Sequence, residues 1–435
     1  MSQTAEAQAW SAERDRYFAR NYIFHCMEGG IFDGGLHLVD YLIVLPPLIL
    51  MLGGDAYAML AGLMPAMIPI GFMLPGLFVA HWIERLEHFK GLNLITGIIS
   101  RLFFLMTGLV VIFLHESHPI LVLWTVALSP LLLGLPLGVS APGWMTMISR
   151  MIPANRLASS FAIRLFSGAL LGLGAGIVVK IVLEKWEGRE AVGFGILFLI
   201  AFGVLMLSYI AFAMLREVPG PPTRGAGSFF ANIKAVPVIL RKDRQMRKFV
   251  LAILTGGGIF IPIPMLSEYI LRFQGIEDGR GGKAMALLGV LLMWKLGGGV
   301  IGNMLGGFLG DLRGSKIVLV IGRITEVALC IWLFFAGSMV EFYLIQILVG
   351  IIEVCIRVGN PTMVIEISPA SKRVMYAGLA SLASIVGITC NGALGAYLWG
   401  ATHSMAAAAI PALVLCGLST VFLLQIREPR RNRAA

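Results

Sequence analysis

Ionisable side chains stand in the middle of three long apolar segments of this sequence. The first segment, about residues 19–47, carries Asp33, His37 and Asp40 at spacings of four and three residues. These spacings put the three side chains on one face of a helix, with Asp33 ~20 Å beyond Arg20. A histidine between two carboxylates can pass a proton, because imidazole titrates near neutral pH. The alternative is that Asp40 and His37 lie in a wet outer vestibule.

The other two segments carry charges at a similar depth. Lys295 lies ~18 Å along its helix from the outer end, and Glu353 lies one turn from Arg357 in another helix. A charge at mid-bilayer costs several kcal/mol unless it is paired or hydrated. Glu353 can pair with Arg357 within its helix. The alternative is that Lys295 pairs with Glu353 or Asp33 and that the pair breaks when substrate or a proton arrives. The predicted substrate- and proton-binding residues are Asp33, His37, Lys295, Glu353, Arg357, Asn360 and Asn391.

The elements that must position these charges are transmembrane helices. Hydrophobic residues make up 58% of the 435 residues and charged residues only 13%, about half the charged share of a soluble domain. The apolar runs are long and unbroken, which indicates helices rather than the alternating strands of a barrel. We predict twelve transmembrane helices at about residues 19–47, 55–82, 92–114, 119–141, 158–183, 191–215, 246–271, 284–309, 316–337, 340–362, 376–399 and 404–426.

Basic residues are concentrated on one side of this predicted arrangement. The segments that share a side with the two termini hold 23 lysines and arginines, and the segments on the opposite side hold 5. By the positive-inside rule, both termini are expected in the cytoplasm. The net charge of +10 therefore indicates a lipid bilayer as partner and not a nucleic acid.

The sequence repeats itself in two halves. The sequence GGIF at residues 29–32 returns at residues 257–260, and Pro153-Ala-Asn-Arg returns as Pro369-Ala-Ser-Lys-Arg. Each half has six predicted helices, an even number, so the two halves share one orientation. We therefore predict two parallel six-helix bundles, residues 1–217 and 249–435. Residues 218–248 form a cytoplasmic linker with an amphipathic segment.

No arrangement of residues indicates an enzyme, a metal site or a cofactor. No nucleophile stands with a base, and the glycine clusters lack the strand-to-helix setting of a phosphate loop. The five cysteines are odd in number and do not stand at metal-ligand spacing. They are expected to be buried free thiols.

The segment GGFLGDLRGSK, residues 306–316, resembles the loop signature of the major facilitator superfamily, G-x-L-x-D-x-x-G-x-[RK]. Glu366 and Arg373, seven residues apart, are similar to a second element of that family. The resemblance implies that the two elements pair and hold the cytoplasmic side shut, with the glycines allowing a tight turn. The implied gate residues are Gly307, Asp311, Arg313, Gly314, Lys316, Glu366 and Arg373.

The first half departs from this signature. Ala80 and Ser149 stand where the family has acids, so a first-half gate depends on whether Glu84 substitutes. Glycines at 168, 172 and 176 resemble part of a drug-exporter motif, although their spacing also suits plain helix packing. Arg101 and Arg323 occupy similar places in the two halves. They are expected to anchor near the cytoplasmic interface or to join the gate.

These features predict an all-α membrane protein of two pseudo-repeated six-helix bundles, similar to the major facilitator fold. The expected function is secondary active transport of a small polar or charged organic solute, by alternating access and coupled to protons. The expected location is a bacterial inner membrane, crossed many times by a monomer. An exporter of amphipathic drugs or lipids is one alternative. A non-transporting membrane scaffold or sensor is another.

Overall fold

The fold is known from a computed structural model, which describes residues 3–83, 86–218, 229–275, 282–369 and 373–427. All the regular structure in these ranges is helical. The helices of the first half are α1 (Gln3–Leu36), α2 (Leu45–Gly53), α3 (Ala58–Ile83), α4 (Lys90–Leu114), α5 (Pro119–Met151), α6 (Ala154–Lys185) and α7 (Glu190–Ala213). After them come α8 (Phe229–Lys242), α9 (Arg244–Gly256), α10 (Ile263–Phe273), α11 (Gly282–Arg313), α12 (Ser315–Trp332), α13 (Met339–Ile367), α14 (Arg373–Thr402) and α15 (Met405–Leu424).

Ten helical segments in the described ranges are long and apolar enough to cross a membrane. They coincide with ten of the twelve predicted helices. The ninth predicted helix is α12, which has 18 residues and carries three charges, Lys316, Arg323 and Glu326. The first predicted helix is present but broken.

The first and seventh predicted helices were expected to be continuous, and both are interrupted. α1 ends at Leu36 and a 3-10 turn follows at His37–Val39. Oδ1 of Asp40 then accepts the backbone amides of Leu42 and Ile43, each at 3.0 Å. The carboxylate therefore replaces helical carbonyls as the acceptor of these amides, and the chain restarts as α2. In the second half, Gly257–Phe260 forms a 3-10 turn between α9 and α10.

The two halves pack through glycines on one side of the molecule. We call the side with the start of α1 and the end of α15 the terminal side, and the opposite side the far side. α3 packs on α14, and α6 packs on α11. A Cβ on Gly62 of α3 would lie 2.5 Å from the carbonyl oxygen of Gly392, and one on Gly289 would lie 2.4 Å from that of Gly176. Only glycine permits such close backbones.

The apolar core shows the same asymmetry between the two sides. One large cluster on the far side takes residues from both halves, for example Leu48 and Val126 with Leu292 and Trp399. On the terminal side, each half has its own smaller cluster. Among the described residues, the halves therefore share a common apolar core on the far side and have separate cores on the terminal side.

The terminal ends of the two halves repeat one stabilising contact. Nζ of Lys90, at the start of α4, donates to the carbonyl oxygens of Ala213 and Leu215, each at 2.8 Å. Nζ of Lys316, at the start of α12, donates to those of Leu424 and Ile426 at 3.3 and 2.6 Å. In both halves, one lysine thus donates to carbonyls at and just beyond the end of the sixth membrane helix, where no donor within the helix reaches them.

Candidate functional site

A chain of buried charges joins the two halves near the middle of the molecule. Nζ of Lys295, on α11, lies 2.7 Å from Oδ2 of Asp40 and 3.0 Å from Oε2 of Glu353, on α13. Lys295 and Asp40 are each only 1% exposed. Asp40 belongs to the first half and the other two residues to the second. One ammonium therefore bridges two carboxylates across the boundary between the halves.

Two neighbours complete this group. Nδ1 of His37 lies 3.1 Å from Oδ2 of Asp40. The hydroxyl of Tyr41 donates to Oε1 of Glu353 at 3.2 Å, and the Lys295 ammonium stands 5.6 Å from the centre of the Tyr41 ring. The break in the first membrane helix makes this possible, since it turns His37, Asp40 and Tyr41 toward α11 and α13.

A second ion pair crosses the boundary one turn closer to the terminal side. Nη1 of Arg357 lies 3.0 Å from Oδ1 of Asp33. This pair is more open than the first, with 21% of the Asp33 side chain and 35% of the Arg357 side chain exposed. Oδ2 of Asp33 and Nε of Arg357 are buried and have no hydrogen-bond partner in the part of the chain that the structure describes. The pair therefore has one acceptor and one donor that this ion pair does not use.

Small residues on α6 make room for the first membrane helix. A Cβ on Gly168 would lie 2.5 Å from Oδ2 of Asp33, and a Cβ on Gly172 would lie 2.7 Å from Cδ2 of His37. Gly176 faces Met293 of the second half. The glycine spacing that resembles an exporter motif therefore serves packing, and what it packs includes two of the predicted site residues.

The predicted substrate- and proton-binding residues are partly assembled by the fold. Asp33, His37, Lys295, Glu353 and Arg357 lie in the two adjoining charge groups just described. Lys295 pairs with Glu353, which was one of the alternatives for Lys295. Asp33, the other candidate partner, pairs with Arg357 and not with Lys295. Oδ1 of Asn360, one turn beyond Arg357, is buried and without a partner. Nδ2 of Asn391 donates to the carbonyl of Gly387 in its own helix.

Two parts of the site were not predicted. One alternative from the sequence placed Asp40 in a wet outer vestibule. In the structure, Asp40 is instead the most buried acid of the group. On the far side, Asp55 of the first half lies 2.8 Å from Nη2 of Arg272 and 3.7 Å from Nε2 of His403. We call these three residues the far-side clasp. Asp55 stands in a short loop, where a lone acid gives no sign of its partners in sequence.

The implied gate residues occupy the terminal side of the second half. Gly314 has a φ of 89° and makes the turn between α11 and α12. Gly307, by contrast, lies within α11, so it does not form the expected turn. The backbone amide and hydroxyl of Ser315 donate to the Glu366 carboxylate, and Arg313 is exposed. The side chains of Asp311 and Arg373 lie outside the described part of the structure.

The first half uses a different acid at the equivalent end. Glu217 accepts the backbone amides of Phe89 and Lys90 at 2.7 and 3.0 Å. It therefore caps the start of α4 as Glu366 caps α12. Glu84, the substitute considered from the sequence, lies outside the described residues, as does the side chain of Ala80.

Two expectations about buried side chains were wrong. Arg101 and Arg323 are only 3% and 4% exposed, so they lie inside their bundles rather than at an interface. Cys390 is exposed, whereas the other four cysteines are buried as expected. No group of residues in the described ranges has the composition of a metal site.

Comparison with known proteins finds a family model that matches the second half and solved structures with a similar fold. The model of the Major Facilitator Superfamily matches residues 249–435. Similar solved structures include the nucleoside transporter NupG, with 14% identity, 94% of this chain and 98% of that chain covered, and a TM-score of 0.65. A D-xylose-proton symporter has 12% identity, coverage of 95% and 99%, and a TM-score of 0.65. The fucose:proton symporter FucP of E. coli has 14% identity, coverage of 93% and 98%, and a TM-score of 0.61.

At such low identity, the structural likeness concerns the fold alone. It extends over nearly the whole chain, while the sequence match covers the second half, which also carries the loop signature at residues 306–316. The second half is therefore similar in sequence to the Major Facilitator Superfamily, and the whole chain shares the fold of these transporters.

Proposed function

We propose that this protein is a secondary active transporter that moves a small polar or charged organic solute by alternating access, coupled to protons. The observation that carries the proposal is the group of charges between the halves, Asp33–Arg357 and Asp40–Lys295–Glu353. Buried ionisable groups in a membrane are costly and are retained where they bind or conduct. Here they lie where two movable bundles meet, and the pair Asp33–Arg357 keeps an unused acceptor and donor.

The asymmetric core supports alternating access. The halves share apolar contacts, glycine contacts and the clasp of Asp55 with Arg272 on the far side. They have separate cores on the terminal side. Rocking one bundle against the other would break the far-side contacts and bring the terminal ends together. The solute site at Asp33 and Arg357 lies near the point about which such a motion turns.

Proton coupling follows from the same residues. Protonation of Asp33 removes the charge that holds Arg357, and an anionic or hydrogen-bonding solute can then take its place. His37 and Asp40 lie one and two turns further toward the far side. They offer a route by which a proton reaches or leaves the site. The similar structures include two named as proton symporters, which supports this mode of coupling.

The distribution of basic residues along the sequence supports one orientation. The segments that share a side with the termini in the predicted topology hold 23 basic residues and the other segments hold 5, so the positive-inside rule favours both termini in the cytoplasm of a bacterial cell. The protein is then a multi-pass monomer of the inner membrane, closed to the periplasm and accessible from the cytoplasm. The gate residues Glu366, Lys316 and Gly314 stand at the cytoplasmic ends of their helices.

Purified protein in liposomes tests the proposal. A pH gradient is imposed and internal pH is recorded with an enclosed dye while sugars, nucleosides, peptides, carboxylates and organic cations are added in turn. We expect one solute class to elicit proton movement. Asp33→Asn should reduce this movement at least tenfold. Glu116→Gln, which makes the same change in a side chain that is 90% exposed, should leave it intact.

Other results separate the alternatives. Solute uptake without proton movement would retain transport and refute coupling. Movement elicited only by hydrophobic cations or lipids would favour an exporter. A folded protein that is silent with every class would refute transport and leave a membrane scaffold or sensor.

A further inference from the structure

The first half contains a cavity of its own, away from the boundary between the halves. It has a volume of about 170 Å³ and is lined by residues from all six membrane helices of that half. Phe72, one of its walls, is 42% exposed, so the cavity reaches the surface beside that ring. The charge groups that contain Asp33 and Lys295 do not line it.

Two arginines supply the charge of the cavity wall. Arg164 donates to Glu28, to Nδ1 of His25 at 3.1 Å and to the carbonyl of His25 at 2.8 Å. It also lies 5.2 Å from the Trp144 ring. Glu28 thus neutralises Arg164. Glu28 also acts on Arg101 through its charge, without a hydrogen bond in the described structure. Two arginines and one glutamate line the cavity, so its charged residues sum to one positive charge.

The hydrogen bonds of Arg101 go to neutral oxygens. In the described structure they are the carbonyls of Leu205 and Gly97, at 2.7 and 2.9 Å, and the hydroxyl of Ser208, at 3.3 Å. The Tyr209 ring stacks 5.3 Å away on one side. A guanidinium has five N–H groups, so three such bonds leave donors for a ligand. A buried cation without an anion is costly, and a bound anion would remove that cost.

In the second half, the arginine at the equivalent position is paired with an acid of its own helix. Arg323, the counterpart of Arg101, lies 2.6 Å from Oε1 of Glu326, three residues along α12. The residue three places after Arg101 is Phe104. The acid that contacts the arginine in one half is therefore replaced in the other by an apolar side chain, and the cavity lies beside the arginine that has no acid in hydrogen-bond contact among the described residues.

We propose that this cavity binds a small monocarboxylate with a compact apolar body, of about the size of benzoate. The carboxylate pairs with Arg101, and the apolar body lies among Phe32, Leu137, Ala141 and Trp144. The volume of the cavity limits the size of the ligand, since a cavity of about 150 Å³ holds benzene. The single positive charge of the cavity wall favours a ligand with one negative charge, and a guanidinium matches a carboxylate in shape. None of the residues that line this cavity belongs to the charge groups of the proposed solute pathway.

Calorimetry with purified full-length protein in detergent, without any gradient, tests this proposal. Benzoate is the probe, with benzyl alcohol and benzylamine as neutral and cationic analogues of the same shape. We expect benzoate to bind with one site per chain and at least tenfold more tightly than either analogue. Ala141→Leu, which fills the cavity, should abolish binding. Ala401→Leu, the same change at an exposed position, should have no effect.

Two further variants locate the probe. Arg101→Gln should weaken benzoate at least tenfold, because a hydrogen bond to a charged group is lost. Asp33→Asn should leave benzoate binding unchanged, although it stops solute-driven proton movement. The proposal is overturned if benzoate binds no better than benzyl alcohol, or if Ala141→Leu binds benzoate normally. It is also overturned if binding disappears in Asp33→Asn, because benzoate would then occupy the boundary between the halves.

Discussion

Replacing Lys295 by methionine should open the far side of the molecule. The change keeps the length of the side chain and removes its charge. Asp40 and Glu353, which Nζ of Lys295 contacts at 2.7 and 3.0 Å, then lose the cation that bridges them. Removing one partner from a buried ion pair costs about 3–5 kcal/mol. Asp40 belongs to the first half and Lys295 to the second. The cost therefore falls on the state in which the halves meet on the far side.

This energy corresponds to a large shift between conformations. A loss of about 3–5 kcal/mol changes an equilibrium by between about a hundredfold and several thousandfold. A state that predominates in the unmodified protein should become a minority in Lys295→Met. Adding Asp40→Asn should restore part of the original distribution, since the second change removes one of the two unpaired carboxylates.

Distances between two spin labels on the far side measure the shift. Labels at Ser117 and Phe335 stand in exposed far-side loops of different halves, in a background where Cys390 is replaced. We expect a longer distance to dominate in Lys295→Met. Lys180→Met, the same change in an exposed lysine, should keep the short distance. An unchanged distribution in Lys295→Met would refute the view that these charges hold the far side closed.

The remaining predictions concern packing, capping and the clasp. Gly168→Ala places a methyl group 2.5 Å from Oδ2 of Asp33 and should lower transport at least tenfold. Gly174→Ala, with open space around it, should leave transport unchanged. Equal losses of transport in the two variants would contradict a packing role of Gly168 against Asp33. Lys316→Met removes two bonds to the end of α15 and should cost about 1 kcal/mol of stability, seen as a lower unfolding temperature in detergent. An unchanged unfolding temperature would contradict a stabilising role of the Lys316 contacts. Asp55→Asn weakens both contacts across the clasp and should increase labelling of a far-side cysteine, whereas unaltered labelling would show that the clasp does not hold the halves.

The sequence shows where the charges lie in depth better than it shows their partners. Hydropathy places Lys295 and Glu353 at mid-membrane, and the structure finds them 3.0 Å apart. Hydropathy cannot show that Asp40 reaches Lys295, because that contact depends on a break in the first membrane helix. The break in turn depends on a side-chain to backbone contact, Asp40 to the amides of Leu42 and Ile43, which hydrophobic periodicity does not register.

The sequence alone determined the membrane class and the parallel repeat, and it predicts the depth of the charged residues. Each of these depends on composition and on patterns along the chain, which can be read without knowing how the helices pack. The tertiary structure alone decided which acid meets which base, that the far side is the joined one, and that the first half encloses a cavity beside Arg101. These depend on the relative placement of helices distant in sequence, and many arrangements of twelve helices satisfy the same hydropathy pattern.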